Sequence, residues 1–197
     1  MKVIGITGGI GSGKSDVLEY LHDKYGATIV KADEVAKKLQ KKGKECYGPI
    51  VDYFGDGILD EKGEIDRKAL ANIVFNDQEK LDALNQITHP LVKEEINRLI
   101  EKERKKNTNY FFIEAALLLE AHYEEICDEI WYIYVSDENR MKRLKFNRGY
   151  DTEKVTSIMK NQAPKEQFFK LCDRVIDNNR TFLEACYQID AIMKNFN

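Results

Sequence analysis

The sequence predicts an α/β fold built on a parallel sheet, and three observations lead there. The apolar run Val3 to Ile6 passes directly into Gly8-x-x-x-x-Gly13-Lys14-Ser15, after which Val17, Leu18, Leu21 and Tyr25 recur at three- and four-residue spacing. This is a strand, a glycine-rich loop and a helix in succession. Short apolar or β-branched runs follow at 27–30, 110–114, 130–135 and 174–178, separated by segments of helical spacing, the alternation expected when helices join the strands of one sheet. The stretch between the second and third runs is far longer than the dozen or so residues a direct parallel crossover needs. A helical insertion is therefore expected at about 41–107.

The loop carries chemistry because glycines admit backbone conformations closed to other residues, so successive N–H groups can turn around phosphate oxygens. The helix that follows adds its unpaired N–H groups and partial positive charge. Gly8, Gly9, Ile10, Gly11, Ser12, Gly13, Lys14 and Ser15, with Asp16 in the first helical turn, are expected to bind the phosphates of ATP. Lys14 would reach the β- and γ-phosphates, and the Ser15 hydroxyl would ligate Mg²⁺. Thr7, at the end of the strand, is placed with the acceptor-binding residues.

Composition bounds what else is present. The chain has 197 residues, 43% hydrophobic and 33% charged, enough to bury a core in one domain with inserted parts. Thirty-one Lys and Arg oppose 34 Asp and Glu, a formal charge of −3, so no global basic field recruits nucleic acid. No signal-peptide or membrane-spanning pattern precedes the first strand, so the expectation is a cytoplasmic protein with no membrane partner. Cys46, Cys127, Cys172 and Cys186 form no C-x-x-C pair, and His22, His89 and His122 lack metal-ligand spacing.

Along the chain, Ala27 to Val30 ends at Lys31-Ala32-Asp33, with helical spacing from Val35 to Leu39. Asp33 thus stands just past a strand's carboxyl end, where ligands of open parallel sheets bind. It can serve as general base for an acceptor hydroxyl or as a helix N-cap. Residues 41–66 are rich in Gly, Asp and Lys around a short apolar piece at Ile50 to Phe54 and are expected to be loops. Leu70, Ile73 and Val74, then Leu81, Leu84 and Ile87, mark two short helices; His89-Pro90 opens a third, carried by Val92, Ile96 and Leu99 to about Lys106. His89 is either a packing residue at that junction or an acceptor contact.

Tyr110 to Glu114 is a compact strand ending in a carboxylate, and Glu114 can hold Mg²⁺ directly or through water. Ser136-Asp137 caps a basic helix on which Arg140 and Arg143 share a face, with Arg148 just beyond it. Arginines on a covering segment, about 137–171, suit charge on a migrating phosphoryl group. Ala163-Pro164 breaks that segment, and a last helix presents Phe182, Cys186, Ile189 and Met193 as a packing stripe.

Several motifs together resemble the dephospho-coenzyme A kinases over most of the chain. They are Thr7 to Ser15, the Asp33 turn, Ile87-Thr88-His89-Pro90-Leu91-Val92, Leu117-Leu118-Leu119-Glu120, Arg143 and Arg148, Gln162, and Asp173 through Asn178. The resemblance implies a three-layer P-loop kinase fold with a five-stranded parallel sheet, a helical substrate-binding insertion and a helical lid. It implies transfer of the ATP γ-phosphoryl group to the ribose 3′-hydroxyl of dephospho-CoA, the final step of coenzyme A synthesis. Carried over by position, the catalytic aspartate is Asp33 and the lid arginines are Arg143 and Arg148. The chain departs from the family's usual pattern at Lys31, Lys37, Ala116 and Ile158.

Two other readings use the same loop. Another small-molecule P-loop kinase, acting on a nucleoside or nucleotide, would share it. A GTPase-like switch would use D-x-x-G, which occurs at Asp52 to Gly55 and Asp60 to Gly63, but no N-K-x-D for reading guanine is present.

Overall fold

The computed structural model describes residues 1–115, 118–119, 121–160, 162 and 164–196, with the side chains of Asn147, Arg148, Lys154, Ile158 and Lys160 outside that description. Five strands, β1 (Lys2–Thr7), β2 (Thr28–Lys31), β3 (Tyr110–Glu114), β4 (Glu129–Tyr134) and β5 (Arg174–Asp177), form one parallel sheet in the order β2-β3-β1-β4-β5. β1 lies between β3 and β4, so the connection leaving it stands where the strand order switches direction, the usual ligand crevice of such sheets. The register pairs Ile6 with Glu114, Thr7 with Tyr132, and Tyr134 with Asp177. The carboxyl ends of four strands are thereby brought to one edge.

The chain divides into two compact units, residues 1–29 with 103–197, and residues 30–102. In the first unit, α1 (Lys14–Tyr25) and α9 (Phe182–Met193) cover one face of the sheet. Period-two alternation puts Ile4, Ile6, Phe112, Trp131, Ile133 and Ile176 on that face, against Val17, Leu18 and Leu21 of α1 and Ala185, Ile189 and Met193 of α9. Phe112 and Trp131 meet edge to face at 5.5 Å, a geometry worth about 0.5–1.5 kcal/mol beyond the area buried. Gly5 is required by packing on the opposite face, since a Cβ there would stand 2.8 Å from Leu118 Cδ1. The unit also contains α6 (Asp137–Arg148), α7 (Thr152–Lys160) and α8 (Lys165–Leu171). Ser136 caps α6 by accepting from the Asn139 N–H. Arg148 is the last residue of α6 rather than beyond it.

The second unit contains α2 (Ala32–Leu39), α3 (Tyr47–Phe54), α4 (Arg67–Phe75) and most of α5 (Gln78–Arg104). Two sequence expectations are corrected here. The apolar piece at 50–54, expected within loops, is the end of helix α3: Cys46 and Ile50 are fully buried, and that anchoring overrides the glycines and lysines around it. The short helix expected at Leu81 to Ile87 and the third helix expected from His89-Pro90 are one helix of 27 residues, with Pro90 inside it rather than at a start. An interior proline costs a helix a hydrogen bond and about 3 kcal/mol. Thr88, Val92, Ile96 and Ile100 nevertheless form an uninterrupted buried stripe across it, while Pro90 itself is exposed. Burial of that face outweighs the local penalty. No described helix is long and apolar enough to cross a membrane.

α1 is fastened to α9 by a polar clasp. The Asp190 carboxylate accepts from Tyr20 Oη at 2.7 Å, Tyr25 Oη at 2.6 Å and Lys24 Nζ at 2.7 Å. Burial pushes its pKa up, but the bonds from Lys24, Tyr25 and Tyr20 outweigh that and hold it at about 2. A carboxylate depressed below its ordinary value of about 3.9 stabilises the fold fully above that value and loses its contribution as pH falls through about 2. Asp190→Asn should therefore lower the chemical-denaturation midpoint at neutral pH, with a deficit that shrinks below about pH 4 and disappears below about pH 2. A deficit unchanged across that range would show that the carboxylate's charge is not what the clasp uses.

Candidate active site

The loop between β1 and α1 is shaped by residues remote in sequence. Gly8, Gly11 and Gly13 have positive φ values of 151°, 80° and 85°, conformations that glycine alone adopts without strain. Space is equally restrictive, because a Cβ at Gly8 would lie 2.7 Å from the Ile133 carbonyl oxygen and one at Gly13 2.5 Å from Asn178 Nδ2. Gly9 is not in the left-handed region, yet a Cβ there would fall 2.3 Å from the Arg140 guanidinium.

The loop's carbonyls are held one by one. Gly8 O accepts from Lys14 Nζ at 2.6 Å, Gly9 O from the Ser12 N–H at 3.1 Å, Ile10 O from Arg140 Nε at 3.0 Å and Ser12 O from Asn178 Nδ2 at 2.9 Å. In a trans peptide the C=O and N–H point opposite ways. The bonds from Arg140 and Asn178 therefore aim the Gly11 and Gly13 N–H groups away from those side chains. Gly13 is also the N-cap of α1, so the first N–H groups of that helix, which have no intrahelical acceptor, join the nest.

Loop residues Ile10 to Asp16 line a cavity of about 380 Å³ with Glu114, Arg143, Leu144, Asn178 and Phe182. Glu114 is half-buried at the end of β3. Arg143 donates through Nη2 to the Asn178 carbonyl at 2.7 Å. Its helix is positioned by the turn after β5, where Asn179 Oδ1 accepts from the Ser136 N–H at 2.8 Å and from Asn139 Nδ2 at 3.1 Å. Thr7 Oγ1, Ser12 Oγ and Asn178 Oδ1 are buried with no hydrogen-bond partner among the described residues. Buried polar atoms are rarely left so, and these three belong to the loop and the residues flanking it.

The structure thus gathers the expected phosphate-binding residues, Glu114 and Arg143 in the first unit. Asp33 and His89 belong to the second unit. Asp33 is the exposed second residue of α2, whose N-cap is Lys31 with no side-chain capping bond, so Asp33 is not the cap. His89 is half-buried within α5. The side chain of Arg148, the departures Ala116 and Ile158, and Leu117 and Glu120 of the quoted motif lie outside the described residues. The sequence places Arg140 with the arginines of the covering segment and Asn178 at the end of a quoted motif, but it ties neither to the loop carbonyls, which are 130 and 166 residues away. Phe182 was assigned to packing but is 38% exposed and lines the cavity. The D-x-x-G at 52–55 is the end of α3 and its C-cap Gly55, not a strand-end switch.

A phosphate nest at the switch point of a parallel sheet, with a lysine folded over it and a strand-end carboxylate beside it, defines a P-loop nucleotide-using enzyme of the kinase class. Comparison with known proteins narrows the class. A model of the dephospho-CoA kinase (CoaE) family matches residues 2–184. The chain is 38% identical over 196 residues to a dephospho-CoA kinase of Carboxydothermus hydrogenoformans, covering 100% of this chain and 95% of that protein. It is 40% identical over 194 residues to one from Dehalococcoides mccartyi, covering 97% and 96%. The solved dephospho-CoA kinase from Campylobacter jejuni superposes with a TM-score of 0.72 at 28% identity, covering 99% of each chain. The chain belongs to the dephospho-CoA kinase family and is a kinase that uses ATP.

Because Gly13 is both left-handed and pressed against Asn178, Gly13→Ala should weaken ATP binding about tenfold or more, a left-handed alanine alone costing about 1–2 kcal/mol. Titration calorimetry with ATP checks this; unchanged affinity would mean the loop tolerates a different shape.

Proposed function

We propose that the chain transfers the γ-phosphoryl group of ATP to the ribose 3′-hydroxyl of dephospho-CoA, the closing step of coenzyme A synthesis, in the cytoplasm. The observation that carries this reading is the convergence of the phosphate loop, Lys14, Glu114 and Arg143 on one cavity. The acceptor comes from the relatives whose name the family shares.

In this reading the N–H groups of the loop and the start of α1 bind the β- and γ-phosphates. Lys14 exchanges the Gly8 carbonyl, 2.6 Å away, for phosphate oxygens. Arg143, tethered to Asn178, meets charge on the migrating phosphoryl group, and Arg148 joins it from the end of the same helix. The segment 137–171 acts as the lid, and the second unit holds the acceptor, with His89 among its contacts. Thr7 belongs to the acceptor side. Asp33 takes the proton from the acceptor hydroxyl as general base.

Mg²⁺ is implied by the family's chemistry, and the donors fit it. Ser15 and Glu114 line the same cavity, and one hydroxyl with one carboxylate is the sparse oxygen set that Mg²⁺ completes with phosphates and water. Among the described residues no cluster of three or more His, Cys, Asp or Glu forms a richer cage. Held by Ser15 and Glu114, a bound Mg²⁺ would supply positive charge to offset that of the transferring phosphates.

Asp33→Asn should leave ATP affinity near its native value while lowering turnover by about 10²-fold or more, the usual scale of general base catalysis. Lys14→Ala should reduce affinity and turnover together. Steady-state kinetics with parallel ATP titrations check both, and near-native turnover in Asp33→Asn would remove Asp33 from the chemistry.

A further inference from the structure

Arg140 is the one charged residue among the buried side chains described, at 9% exposure. A guanidinium is costly to bury unless its donors find acceptors, and these acceptors come from three places. Nε donates to the Ile10 carbonyl at 3.0 Å in the phosphate loop, Nη1 to Asp137 Oδ1 at 3.2 Å one turn earlier on α6, and Nη2 to Gln162 Oε1 in the segment between α7 and α8. The fixed fork of arginine suits three acceptors in three directions, which a lysine ammonium on a flexible stem would not hold together.

Contact with the loop extends beyond that hydrogen bond. The guanidinium occupies the space where a side chain at Gly9 would stand, with three of its atoms within 2.8 Å of that position. A Cβ at Gly11 would lie 3.1 Å from Leu144 Cγ and 3.4 Å from the Arg140 carbonyl oxygen. Arg140 and Leu144, one turn apart on α6, thus form the wall against which the first half of the loop is moulded. Gly9 answers to Arg140 and not to the turn, since its own backbone is not left-handed.

We infer that Arg140 is a positioning residue for ATP: it fixes the Ile10–Gly11 peptide of the phosphate loop and couples that peptide, through Gln162, to the segment between α7 and α8. Holding the Ile10 carbonyl aims the Gly11 N–H the opposite way. With Arg140 removed, the peptide can rotate and present its oxygen where a donor is needed. Arg140 acts on the phosphates through the loop backbone, and its retained positive charge adds to the field there. Gln162, half-buried, makes the loop's shape depend on where the α7–α8 segment sits.

This rests on the reading of the loop as an ATP site but not on the identity of the acceptor, so the test omits the acceptor. The native chain, Arg140→Ala, Arg140→Lys, Gln162→Ala and the Arg140→Ala/Gln162→Ala double variant are titrated with ATP by calorimetry, with thermal midpoints taken without nucleotide. Arg140→Ala should weaken ATP about tenfold and Gln162→Ala about threefold, within the range of charge-assisted hydrogen bonds. The double variant should be no worse than Arg140→Ala, as for residues that act as one unit. Arg140→Lys should recover only part of the loss. In turnover assays Arg140→Ala should raise KM for ATP while kcat stays within about threefold, the mark of lost uniform binding. A merely structural role would lower the thermal midpoint and leave ATP affinity of the folded fraction unchanged, which overturns the proposal, as does full additivity in the double variant. Should Arg140→Ala fail to fold, Gln162→Ala decides alone: a threefold loss supports the coupling and native affinity overturns it. If the native chain binds no ATP, the functional reading fails with it; if it binds ATP and every variant binds equally, only the role of Arg140 falls.

Discussion

A loop can bind phosphate through its backbone only if its peptides are held in one orientation. Four carbonyls of this loop have assigned donors, from Lys14, Ser12, Arg140 and Asn178. Much of the first unit can be understood as what places those donors. β4 and β5 run parallel with Tyr134 opposite Asp177, so that Asn178 arrives beside Ser12. The turn after β5 grips the start of α6 through Asn179 and so sets where Arg140 and Arg143 stand. The Asp190 clasp and the apolar seam between α1 and α9 fix the helix whose amino end completes the nest.

The demands of this arrangement show in backbone shapes open only to glycine and in unmet hydrogen bonds gathered around the loop. Three left-handed glycines, a buried guanidinium and three orphaned polar atoms all belong to the loop or to residues packed on it. Away from the loop, the face of the sheet under α1 and α9 is an apolar cluster. A loop held this way on a regular scaffold is a fixed array of dipoles that can be ready before its ligand arrives.

What the sequence made legible was whatever is local. The phosphate loop is contiguous, and its glycines, lysine and serine are at fixed offsets, so both its presence and its position between strand and helix could be read directly. Glu114 could be read as a strand end, and Ser136 as a cap. The contacts of Arg140 and Asn178 with the loop could not be read, because those partners are set by which strands lie side by side, and no spacing in the sequence carries that information. Pro90 misled for the opposite reason: a strong local rule pointed to a helix start, while the buried stripe Thr88, Val92, Ile96 and Ile100 carried the helix through it. Helix α3 was hidden by the glycines and lysines around it, although Cys46 and Ile50 bury completely. Phe182 kept its helical phase with Cys186 and Ile189, but phase does not reveal that the first turn of α9 overhangs the cavity.

Transfer to dephospho-CoA is the reaction this phosphate loop serves. Its most direct test is mass spectrometry of the products formed from purified chain, Mg-ATP and dephospho-CoA, with adenosine and nucleoside monophosphates as parallel acceptors. Coenzyme A is the expected product, with the new phosphate at the ribose 3′ position and little phosphorylation of the other acceptors. Dephospho-CoA left untouched while a nucleoside or nucleotide is phosphorylated would contradict it.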